Sequence, residues 1–137
     1  MKPLAYTLFT LLFLTFSNLS LGQDEDGMHY GALETFRYWA DEDPWEGITV
    51  FHGQYWASSH FSKEYILYME LKVPTETAQN FILDNGLEPA NDKEKYPSDA
   101  PKWFNPSANL KEYAGAQGSK YFIDVHTGHM FMYEVQL

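Results

Sequence analysis

The chain has 137 residues, with 9 Lys and Arg against 19 Asp and Glu, no Cys, and an aromatic content of 18%. That density of Phe, Tyr and Trp can bury enough apolar surface to offset chain entropy, so one folded domain is expected rather than disorder. The missing Cys excludes disulfides, thiolate metal sites and thiol nucleophiles, and a formal charge of -10 argues against nucleic acid or an anionic membrane as partner, since both are bound through clustered Lys and Arg.

Lys2 is followed by a Leu- and Phe-rich stretch from Leu4 to Leu21 and then by Gln23-Asp24-Glu25-Asp26. A basic start, an apolar stretch and small residues at Ser20 and Gly22 have the layout of a secretory signal peptide cut before Gln23. An uncleaved anchor is the alternative, and Thr7, Thr10, Thr15, Ser17, Asn18 and Ser20 dilute it. The expected organisation is therefore a signal peptide over 1–22 and one exported domain over 23–137, with 23–28 flexible. An exported domain without disulfides fits a bacterial periplasm or the medium, with no membrane contact after cleavage.

In chain order, Ala32, Leu33, Phe36, Trp39 and Ala40 recur at helical steps, predicting an amphipathic helix over 30–40 that ends at Asp41-Glu42-Asp43-Pro44. Two strand-like runs follow around the polar loop 58–63. With Ala57 opposite Glu64 in an antiparallel hairpin, the pairs Ile48/Val73, Val50/Leu71, His52/Met69, Gln54/Leu67 and Trp56/Tyr65 share the core face. Pro74 starts a helix through Asp84, and Asn85-Gly86-Leu87 stops it. Residues 88–106, with four prolines, read as a long surface loop pinned by Trp103 and Phe104, followed by a brief helix over 108–113. A second hairpin joins 121–125 to 130–137 through His126-Thr127-Gly128. The sum is an α+β domain: a mostly antiparallel sheet of about four strands with two or three short helices on one face.

Phosphate loops, dinucleotide fingerprints, zincin helices and nucleophile elbows are all absent from the sequence, and no cofactor is expected. Three groups remain. His52, Gln54, Trp56 and Tyr65, joined by Trp103 from the loop, would line a ligand pocket with aromatic walls if their face is open; a buried, hydrogen-bonded core histidine is the plainer reading. Asp41, Glu42, Asp43 and Glu46 with Trp45 form an acidic patch for a basic partner or a weak calcium site, against a solvated helix end. Asp124, His126 and His129 carry metal-ligand chemistry, against a hydrogen-bonded turn. Asp24-Glu25-Asp26-Gly27 is only a fragment of a calcium loop, and His60 with Glu64 falls in a loop where helical spacing has no meaning.

The functional expectation is an exported, non-enzymatic binding or inhibitor-like module acting on a protein partner. The alternatives are a carbohydrate- or small-ligand-binding domain using exposed aromatic rings, and a hydrolase or metal enzyme built on His52, Asp124, His126 and His129.

Overall fold

The computed structural model describes residues 27–59, 63–90 and 96–137. The signal peptide, its cleavage site, the calcium-loop fragment over Asp24 to Asp26, His60 and the middle of the 88–106 segment lie outside the described residues. Nine elements follow in order: β1 (Gly27–Tyr30), α1 (Ala32–Ala40), β2 (Thr49–Ala57), β3 (Tyr65–Lys72), α2 (Thr75–Asp84), β4 (Glu88–Pro89), β5 (Lys111–Ala114), β6 (Lys120–Ile123) and β7 (His129–Gln136), with one 3-10 turn at Ala116–Gly118. The strands form a single antiparallel sheet in the order β1-β2-β3-β7-β6-β5-β4.

This corrects the expected four-strand α+β domain: among the described residues the sheet has seven strands, two helices accompany it, and the regular structure is mostly sheet. The additional strands are β1, β4 and β5, of four, two and four residues. Segments that short cannot display an alternation of their own and take strand form from the neighbour they pair with. β5 replaces the brief helix expected over 108–113.

A β-bulge reshapes the first hairpin. Thr49 pairs with Lys72 and Val50 with Leu71, as the expected register has it, but the ladder then shifts so that His52 faces Glu70, Gln54 faces Tyr68, Trp56 faces Ile66 and Ala57 faces Tyr65. Because side chains alternate sides, a one-residue slip moves a whole set to the other face. His52, Gln54 and Trp56 thus leave the helix-covered face, while Tyr65 stays on it.

Both helices pack on that covered face. α1 buries Thr35, Phe36, Trp39 and Ala40, while Leu33 is left 50% exposed. α2 begins after Pro74 and buries Ala78 and Phe81. Its end is a Schellman motif: Leu87 N–H donates to Ile82 O at 3.0 Å, Gly86 N–H donates to Leu83 O at 3.1 Å, and Gly86 takes φ 58, a conformation that glycine adopts without side-chain strain. Beneath the helices, Leu67, Met69 and Leu71 of β3 and Met130 and Met132 of β7 are almost completely buried. Each such side chain contributes about 1.5–3 kcal/mol through loss of apolar surface from water.

The opposite face carries a second layer made by residues 96–110. Phe104, 3% exposed, stands edge-on to Tyr68 at 5.1 Å and to Phe131 at 5.4 Å, and Tyr96 and Leu110 pack beside it. β3 and β7 are consequently covered on both sides.

Candidate functional site

The second layer covers only part of its face. Its ring contacts reach Tyr68, Phe122, Phe131 and, through Trp103, His52. Among the described residues, the sheet surface over β1 and the outer part of β2 is open. There Tyr30 pairs across the strands with Gln54, and Met28 with Trp56. Met28 is 44% and Tyr30 66% exposed, whereas Gln54 and Trp56 are half-buried. Direct cross-strand neighbours lie about 5 Å apart and diagonal ones about 7–8 Å, so Tyr30, Gln54, Trp56 and Met28 are neighbours on one patch of this face.

One edge of this open area is a polar cluster. His52 Nδ1 is 2.8 Å from Glu70 Oε2, and His129 Nε2 is 2.9 Å from Glu70 Oε1. The two oxygens of the Glu70 carboxylate thus each take one imidazole, one from β2 and one from β7. Trp103 stacks on the His52 ring at a centroid distance of 5.0 Å and 16° between planes, and Phe51, extruded at the bulge, stands edge-on to His129 at 6.2 Å. The cluster spans three neighbouring strands, and the bulge aligns its first member with its second.

The sequence candidates are distributed as follows. His52, Gln54, Trp56 and Trp103 share the partly open face. Tyr65 does not join them: it is 2% exposed under the helices, and its hydroxyl donates to Glu134 at 2.5 Å while that of Tyr121 donates to the second carboxylate oxygen at 2.8 Å. Burial above all, then the Glu134 carboxylate, raises the pKa of both phenols well above the usual value.

Asp124, His126 and His129 serve different partners. The His126 N–H donates to Asp124 Oδ1 at 2.9 Å, which is the largest cause holding that carboxyl below its usual range, and the ring of His129 turns to Glu70. Among the described residues no three His, Asp or Glu side chains are placed to hold a metal ion. In the acidic segment, Asp41 ends α1 with φ 56 and Asp43 pairs with Arg37, while Glu42 and Glu46 are exposed. Trp45 turns inward onto Phe36 at 5.7 Å and, with Trp39, Ile48 and Phe81, lines an apolar cleft of about 350 Å³ including its open mouth.

Three participants are missing from the sequence reading: Met28 and Tyr30, assigned there to a flexible end and a helix start, and Glu70. A carboxylate inside an otherwise apolar strand is the signal that could have found Glu70.

Comparison of the chain with family models, with curated proteins and with solved structures finds no match.

Proposed function

We propose that the chain is a non-enzymatic binding domain for a protein partner, and that the partner lies across the open part of the sheet over Tyr30, Gln54 and Trp56. The observation that supports this reading is the uncovered row itself: Tyr30 and Met28 stand exposed beside Trp56 on a face whose other half has its own packed layer. Large amphipathic rings on a rigid strand pair offer contact area at little cost in side-chain entropy, which is why Tyr and Trp dominate binding energies at protein interfaces. His52, held by Glu70 and backed by Trp103, adds a fixed polar ring at the border.

The test compares the wild-type chain with a Tyr30→Ala/Trp56→Ala pair in cross-linking and capture from envelope extracts. A defined partner held by the wild type and released by the variant is expected; empty captures, or the same capture by both, would sink the reading. Export belongs to the same proposal, and the released protein is expected to begin at Gln23 when sequenced from its N-terminus.

A second reading is a carbohydrate platform, favoured by an amide side chain, Gln54, sharing one patch of the face with Tyr30 and Trp56. Its test is a polysaccharide array, where retention lost in the same variant is the expected result and silence across the array removes it.

A further inference from the structure

How a protein would be held follows from the hydrogen-bond phase of β1, and this step rests on the proposed protein partner. Gly31 N–H donates to Gly53 O at 3.0 Å, in the register that pairs Gly27 with Ala57 and His29 with Tyr55. Hydrogen-bonded and non-hydrogen-bonded pairs alternate along an antiparallel ladder. The pairs at 27, 29 and 31 are therefore the bonded ones, and the main-chain N–H and C=O groups of Met28 and Tyr30 point away from β2. Among the described residues no strand pairs with that side of β1.

The two ends of the sheet differ. At the far end, β4 has only Glu88 and Pro89, and a charge, a proline and short length are the usual means of blunting an edge. β1 reads Gly-Met-His-Tyr, without Lys, Arg, Asp, Glu or Pro. The residues whose backbone faces outward are also those whose side chains are exposed on the open face. The chain carries a formal charge of -10, and in sequence β1 is flanked by acids: Asp24, Glu25 and Asp26 come before it and Glu34 after it, with no Lys or Arg between Lys2 and Arg37.

We propose that β1 is a strand-addition site, at which an extended basic segment of the partner protein hydrogen-bonds to the main chain of Met28 and Tyr30 and lays alternate side chains over Tyr30 and Trp56. Main-chain bonds supply the affinity in this mode, alternate side chains the specificity, and the net negative charge of the chain the preference for a basic strand.

Short fluorescent peptides alternating Lys with Val, or Glu with Val, are the probes, used with the full chain. The Lys–Val peptide is expected to bind, to slow amide exchange at Met28 and Tyr30, and to outcompete the Glu–Val peptide by about tenfold at low salt. Met28→Pro removes an outward N–H without touching the β1–β2 ladder and is expected to weaken binding by about tenfold. Exchange at the two amides is read on the wild type, so the test stands even where the proline variant misfolds. Binding that survives Met28→Pro in a folded variant, protection confined to other strands, or no binding up to millimolar peptide overturns strand addition. A self-association abolished by Met28→Pro would assign the edge to a second copy and equally overturn it. A natural partner lost by Tyr30→Ala/Trp56→Ala but kept by Met28→Pro would leave the binding face standing and remove only the strand-addition mode.

Discussion

His52 meets Glu70 across β2 and β3 with Phe51 left out of the pairing between them. Val50 pairs with Leu71 and His52 with Glu70, so two residues that are consecutive on β3 are matched by two on β2 with one residue between them. Phe51 is 47% exposed and belongs to neither set.

Deleting Phe51 should therefore be tolerated, because the remaining chain can keep every pair from Thr49/Lys72 to Ala57/Tyr65 as a regular ladder. Deleting Gln54 instead turns the residues on one side of it to the wrong face and should abolish folding. Thermal unfolding of the two deletions checks this; a Phe51 deletion that is as damaging as the Gln54 deletion would refute the assigned bulge.

Glu70 carries the polar cluster, so Glu70→Ala should free both imidazoles and His52→Ala should strip the cover from Trp103. A loss of about 1 kcal/mol is expected for each, at the low end for hydrogen bonds to a charge because the rings are 49% and 36% exposed. The specific readout is Trp103 emission, which should move to longer wavelength in His52→Ala and remain near wild type when the distant Thr77 is changed to Val.

Gly53 lies against α1. A Cβ built there falls 2.5 Å from the Cβ of Thr35 and 3.0 Å from Gly31 O, so Gly53→Ala must push the helix off the strand and should cost about 1–3 kcal/mol. Thr35→Ala should not rescue it, since the clash is with Cβ itself. Thr35 Oγ1 is buried with no hydrogen-bond partner, so Thr35→Val should be neutral or stabilise by up to about 1 kcal/mol. Denaturant titrations of the three variants decide both points.

The phenols of Tyr65 and Tyr121 hold their protons above the ordinary value of 10.0, first through burial and then through Glu134. The unfolded chain releases those protons near the ordinary value while the fold retains them, so their contribution is complete below pH 10 and is lost as pH rises above it. The unfolding midpoint should fall in that alkaline range, with tyrosinate absorbance from this pair appearing only as the chain unfolds. Tyr121→Phe should cost about 1 kcal/mol near neutrality and flatten the alkaline fall.

The long periodic segments were legible in the sequence. The 3.6-residue spacing over Phe36, Trp39 and Ala40 and the Pro74 start with the Gly86 stop delimit the two helices to within two residues. The hairpin was legible as a hairpin, but its register was not, because Phe51 reads as an ordinary strand residue and only the pairing of His52 with Glu70 marks it as extra. β1, β4 and β5 were illegible for a different reason: with two to four residues each, they are defined by the edge they attach to. The ligand candidates His52, Gln54, Trp56 and Trp103 stand on one face, and Tyr65 was grouped with them by the same one-residue slip.

β7 is the last strand in the chain and the fourth in space, lying between β3 and β6. Without it the sheet falls into two separate three-stranded pieces, neither with a complete core. The sheet therefore cannot be completed until residues 129–136 are in place, and until then β3 and β6 each keep one edge unpaired. Removing residues 129–136 should accordingly be as damaging as removing a strand from the middle of the sequence.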